Sequence, residues 1–132
     1  MTRLLFDTTF LIDADRSGAA LDEVIEDDDD VAVAAITVAE LLVGVLISQG
    51  RRRAARQAFL DDVRATIPAI GYDTEVAEAH AALLAQVRSQ GEPRGAHDLV
   101  IAATARASQR EVVTADLTAF ENLPGVQARP HR

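Results

Sequence analysis

Residues 3–13 read RLLFDTTFLID. RLLF (3–6) is a short apolar run suited to a buried strand. Asp7 stops it. Two threonines follow, and Thr8 to about Asp15 predicts a helix with a threonine near its cap. A carboxylate at such a junction has two readings. It can cap the helix, or it can stand beyond the carboxyl end of a strand, where parallel α/β sheets gather their functional groups. The stretch alone favours the cap, so the rest of the chain has to decide.

The same alternation continues downstream. Leu21, Val24 and Ile25 give one side of a short helix, and EDDDD (26–30) reads as a solvated loop. VAVAA (31–35) is a second buried strand, and a helix runs from Thr37 to about Ser48. RRRAARQAFLDDVRA (51–65) is a basic helix with Ala55, Phe59, Leu60 and Val63 at helical spacing. TIPAIGY (66–72) is an extended link. Asp73 caps the helix TEVAEAHAALLAQVRSQ (74–90), GEPRG (91–95) is a loop, and 97–110 is a helix apolar on most sides. EVVTAD (111–116) is a strand ending in an acid, and NLPGVQARP (122–130) holds one last short strand. Strands alternating with helices predict an α/β domain spanning 1–132, with a parallel sheet covered on both faces. Strand order is not legible from this pattern.

Composition narrows the chemistry. The chain has 132 residues, 48% of them hydrophobic, enough to bury a sizeable core. It has no cysteine, which removes disulfides, thiolate metal sites and cysteine nucleophiles. The start does not resemble a signal peptide. The apolar segment 31–47 is too short for a comfortable membrane span and carries Glu40. A soluble, cytoplasmic protein is expected. The net charge of −8 argues against a broad cationic surface for nucleic acid. All 13 basic residues are arginine.

Four acids sit at the mouths of apolar elements. Asp7 and Asp116 each follow a strand, and taken singly each is explained by a cap. Glu40, inside ITVAELLVGV (36–45), shares only a narrow stripe with Thr37 and Gly44 on an otherwise apolar helix. Burying a carboxylate there without a partner costs several kcal/mol, and a bound cation removes that cost. Asp98 opens the apolar helix HDLVIAATA, where the helix dipole alone gives it about 0.3–1 kcal/mol. Together the four suit a hard cation such as Mg2+ or Mn2+, which takes oxygen ligands and keeps several waters.

The order of these segments resembles that of the PIN-domain ribonucleases. LLFDTTFLID resembles the family's opening motif, ITVAELLVGV its second, GAHDLVIAATA its third and VVTADLTAF its fourth. The chain's length points to the VapC-type toxins of toxin–antitoxin pairs. The resemblance implies a three-layer α/β/α sandwich. It implies Asp7, Glu40, Asp98 and Asp116 as the catalytic acids, with Thr9 and Thr114 as supporting hydroxyls and Asp13 without a catalytic role. It further implies Mg2+-dependent RNA hydrolysis, with Mn2+ as a substitute. Asp7 and Asp98 would contact the metal, and Glu40 and Asp116 would hold a second ion or orient water. A small antitoxin partner is implied, and a homodimer is usual for the family. The apolar stripe of the helix 37–47 could supply its interface.

For gripping RNA, Arg51, Arg52, Arg53 and Arg56 form one candidate cluster and Arg94 a closer one by position. A solvated helix start explains the cluster equally well. The histidines lack metal-ligand spacing. His80 reads as a packed core-edge residue; His97 adjoins Asp98 and could approach substrate, with a surface histidine the safer reading; His131 lies at the terminus. Two rival functions compete with this reading. Phosphotransfer at Asp7 would need a lysine for the phosphoryl group, and the chain has none. A non-catalytic scaffold gives no reason for Glu40 in so apolar a helix.

Overall fold

The computed structural model of the chain describes residues 1–131. A five-stranded sheet runs through the middle, with every neighbouring pair parallel. Its strands are β1 (Thr2–Phe6), β2 (Asp29–Ala34), β3 (Ala69–Ile70), β4 (Glu111–Val113) and β5 (Ala128–Arg129), in the order β3-β2-β1-β4-β5. The helices are α1 (Thr8–Ser17), α2 (Leu21–Val24), α3 (Ala35–Leu46), α4 (Gly50–Thr66), α5 (Thr74–Gln90) and α6 (Ala96–Ser108). A single 3-10 turn, Leu117–Ala119, follows β4.

Period-two alternation builds two cores from the same strands. Leu5, Ala32, Ala34 and Val112 face one way and pack with α5 and α6. Leu4, Phe6, Val31, Val33 and Val113 face the other way, against α1, α2 and α4. The register pairs Leu4 with Val31 and Leu5 with Ala32, so like faces meet across β1 and β2. A slip of one residue would reverse every one of these assignments. Full burial of a Leu or Phe side chain contributes about 1.5–3 kcal/mol, and Leu4, Leu5 and Phe6 are all 0% exposed. The central strand therefore has one tolerable register.

The structure departs from the sequence pattern at two places. EDDDD is only partly a loop, because β2 already begins at Asp29. Asp29 and Asp30 pair with Thr2 and Arg3 of β1, and Asp30 is salt-bridged to Arg3 at 3.2 Å and to Arg110 at 3.1 Å. Those arginines supply the countercharge that lets an acidic run enter a sheet. The last helix ends at Ser108 rather than 110, because Gln109 adopts a left-handed backbone (φ 56°). Glutamine seldom does so, hence the missing sequence signal.

Arg110 ties the amino-terminal end of the sheet together. Its side chain is 9% exposed. One guanidinium nitrogen donates to Leu4 O (3.3 Å), Asp30 O (2.6 Å) and Asp30 Oδ1 (3.1 Å). β4 is thereby held to β1 and β2.

Candidate active site

The chain fills the sheet from β1 outward to β3, then crosses back and places β4 on the other side of β1. That reversal makes a switch point between β1 and β4, at whose carboxyl end a crevice forms. Asp7 stands there, directly after β1, and is 1% exposed. It is also the N-cap of α1, with Oδ1 accepting the Phe10 amide at 2.8 Å. Cap and buried crevice acid are thus one residue, and the choice posed by the sequence was not exclusive.

Two threonines complete its hold. The Thr9 hydroxyl lies 3.0 Å from both Asp7 oxygens, and Thr114 Oγ1 donates to Oδ2 at 2.6 Å. Thr9 sits in the first turn of α1 and Thr114 just beyond β4, so each carries out the contact from its own element. Burial pushes the Asp7 carboxyl above the usual carboxylate range, and the Asp116 charge adds to this. Hydrogen bonds from Thr114, the Phe10 amide and Thr9 act the other way, favouring the ionised form.

Asp98 lies in the first turn of α6 and is half-buried. Its carboxylate accepts no hydrogen bond among the described residues, so its lone pairs are free. Burial raises its pKa, and the charges of Asp7, Glu40 and Asp116 raise it further, with His97 opposing. The four sequence-predicted acids therefore lie within electrostatic reach of one another. Asp116 is exposed, and its Oδ1 accepts Thr118 Oγ1 at 2.6 Å. Its backbone N–H donates to Thr114 Oγ1 at 2.9 Å, which links it to the Asp7 support.

Glu40 projects from α3 towards the same crevice. Thr8 Oγ1 donates to its Oε1 at 2.8 Å, and the fully buried Thr37 hydroxyl lies 3.1 Å from Thr8. Sequence reading missed Thr8. The signal was the doubled threonine: adjacent residues in a first helical turn point apart, so one hydroxyl serves Asp7 and the other Glu40. His97, read as a surface histidine, is 61% exposed but brings Nδ1 to 3.3 Å from Glu40 Oε2.

No arginine forms an ion pair with any of the four acids among the described residues. No three acidic or histidine side chains there are drawn close enough to enclose an ion by themselves. The arrangement fits a cation such as Mg2+, which needs one or two direct carboxylates and fills its shell with water. A fully protein-lined cage is not what these residues make.

Gly95 limits how Asp98 can stand. A Cβ at position 95 would lie 2.8 Å from Asp98 Oδ2. Gly95→Ala is expected to turn that carboxylate aside while leaving the fold intact, since the atom displaced is the tip of a side chain. A misplacement of about 1 Å can cost about 10²-fold in rate, which steady-state kinetics would read against an unchanged melting temperature.

The basic residues divide. Arg51, Arg52 and Arg53 are exposed at the start of α4. Arg56 instead donates to Gly44 O at 3.0 Å and to Ser48 Oγ, closing the end of α3. Arg94 donates to the carbonyls of Thr118, Ala119 and Glu121. It straps the loop before α6 to the turn after β4. His80 accepts or donates a 2.8 Å bond with the Tyr72 hydroxyl, and His131 stacks on Phe10 with centroids 5.2 Å apart.

Residues 4–126 match the family model described as the PIN domain. A Salmonella typhimurium protein named tRNA(fMet)-specific endonuclease VapC is 29% identical over 97 residues, covering 74% of this chain and 72% of that one. VapBC-5 of Mycobacterium tuberculosis, a member of the VapBC family of toxin–antitoxin systems, aligns at 31% identity. Its TM-score is 0.80, over 98% of this chain and 99% of that one. VapBC2 of Rickettsia felis, solved on a promoter DNA fragment, superposes with a TM-score of 0.86 at 21% identity over 98% of each chain. The all-parallel sheet, the family-model match and these likenesses agree: the chain belongs to the PIN domain family, in its VapC-type toxin–antitoxin branch.

Proposed function

We propose that this protein is an endoribonuclease, the toxin of a toxin–antitoxin pair, and that it hydrolyses RNA with a bound Mg2+ or Mn2+ ion. One observation carries the reading. A carboxylate buried to 1% exposure is kept in place by three hydrogen-bond donors and faces another whose lone pairs are free, with no arginine to neutralise either. Such a site repels a phosphodiester until a cation is bound. The ion supplies Lewis acidity at the phosphate and lowers the pKa of water.

The chain's own residues have distinct tasks. Asp7 and Asp98 would hold the ion. Thr9 and Thr114 aim the Asp7 oxygens, so little reorganisation is needed when it binds. Glu40, aimed by Thr8, and Asp116 would orient water or hold a second ion. Arg51, Arg52 and Arg53 supply exposed positive charge for RNA phosphates. The Salmonella relative's name makes tRNA the first substrate to try. Incubation with EDTA is expected to silence cleavage of a tRNA panel, and excess Mg2+ or Mn2+ to restore it. Cleavage that persists in EDTA would contradict the proposal.

Two partners follow from the same reading. A small antitoxin with a basic segment would suit both the acidic crevice and the −8 net charge. A second copy would cover the apolar end of α3, where Val43 (53%), Leu46 (57%) and Ile47 (75%) are exposed. Ile47→Asp is expected to shift the chain from dimer to monomer in sedimentation velocity. An unchanged dimer would remove α3 from the interface.

No helix among the described residues is long and apolar enough to cross a membrane.

A further inference from the structure

Beside the carboxylates lies a groove of about 130 Å³ between α1, α3 and α4. Glu40 lines it as well, so groove and crevice share a wall. Ile12, Leu41 and Phe59 give it apolar walls, and Asp15 and Arg56 give it polar ones. It is a size for one planar ring rather than for a stretch of chain.

Gly44 also lines it. A glycine inside a helix destabilises it relative to alanine, so its presence wants a reason. Backbone geometry gives none, because Gly44 is absent from the positive-φ positions. Packing gives none either: a Cβ there would meet no atom within 4 Å. What the missing side chain leaves is room in the groove.

Asp15 supplies the second observation. It is half-buried, yet its carboxylate accepts no hydrogen bond among the described residues. Burial raises its pKa, and the charge of Arg56 opposes the rise. Arg56 is itself held by Gly44 O at 3.0 Å and by Ser48 Oγ. The groove thus offers a fixed cation and an open acceptor over an apolar floor. A purely aliphatic occupant would bury Asp15 with nothing to bond, which costs more than it gains.

We infer that this groove is a base subsite, taking the nucleobase of one nucleotide beside the cleaved phosphate, with guanine preferred. Guanine alone presents two adjacent donors, N1–H and N2–H, to a carboxylate, and its O6 accepts from a guanidinium. Adenine and cytosine offer one amino group, and uracil a single imide N–H. This subsite rests on the nuclease reading for its place in catalysis, but not for its ligand.

The test therefore has two arms. In the first, neutral nucleosides are titrated into the methyl-labelled protein. Guanosine is expected to shift the Ile12 and Leu41 methyls, and Gly44→Leu, which fills the groove, to weaken that response about tenfold. No response to any nucleoside, or an equal response in Gly44→Leu, overturns the inference. In the second arm, RNA oligonucleotides differing at one position beside the cut are cleaved with Mg2+ present. Wild type is expected to favour guanine by about tenfold, and Asp15→Asn to bring that ratio close to one. An unchanged ratio in Asp15→Asn overturns the inference. So does a Gly44→Leu variant that keeps the ratio and loses only inhibition by a cognate antitoxin, since the groove then holds the inhibitor. If guanosine binds the groove but no RNA is cut, the nuclease reading fails while the nucleoside subsite stands.

Discussion

Asp7→Asn is expected to lower RNA cleavage on the order of 10³-fold while raising the melting temperature of the metal-free protein. The loss follows from removing a cation ligand whose contribution to phosphate chemistry is several kcal/mol. The gain follows from the cost of a buried charge. Asp7 is 1% exposed, and burial holds its carboxyl above the usual range. Asparagine keeps an oxygen for the Phe10 amide and brings no charge. Each kcal/mol recovered should raise the midpoint by about 4 °C in a domain of this size. Kinetics and calorimetry on one preparation check both halves, and an Asp7→Asn protein that is folded and fully active would sink the catalytic assignment.

The same shift sets a pH dependence. The folded chain binds the Asp7 proton more tightly than the unfolded chain does, and Asp98 moves in the same direction. Their contribution to stability is present in acid, below the unfolded carboxylate value, and is lost as pH rises through the folded value. After treatment with a chelator, this contribution is larger at about pH 5 than at about pH 7. Asp7→Asn should flatten the slope of stability against pH.

Arg110→Ala carries the largest expected loss of stability. The variant leaves two β-strand carbonyls and a half-buried Asp30 without their common donor. Breaking one side of a buried pair costs about 3–5 kcal/mol. Arg110 Nε is already buried without a partner, and Asp30 keeps Arg3, so about 3 kcal/mol is the fitting figure. A fall of roughly 10 °C in melting temperature is expected. Arg3→Ala is the comparison: its pair with Asp30 is exposed on one side and should cost under about 1 kcal/mol. If the two variants lose equal stability, the tie under the sheet is not what holds β4.

Much of this was legible before the structure. Residues 4–6 of RLLF and 31–34 of VAVAA identify themselves as strands because both faces are buried and both are apolar. Helix α6 does so because its middle, LVIAA (99–103), is an unbroken apolar run. The four acids stood out because each interrupts an apolar element. Strand order was not legible, since short parallel strands such as Ala69–Ile70 carry no pairing signal of their own. Asp29 and Asp30 misled because local charge favours a loop, while Arg110, the partner of Asp30, is eighty residues away. Thr8 and His97 were missed for a related reason: neither residue type is unusual at its position, and only the meeting of α1, α3 and α6 gives each its acid. Arg94 gained a role that the sequence did not announce. Proximity in sequence to Asp98 made it attractive, and its guanidinium serves backbone carbonyls.

Asp7 is almost entirely enclosed, so a partner protein meets next to none of its surface. A chain silenced at this position keeps the outer shape of the active one. If the proposed antitoxin reads that shape, the silent chain expressed beside the active one would act as a sponge for the inhibitor, and a harmless protein would free a harmful one.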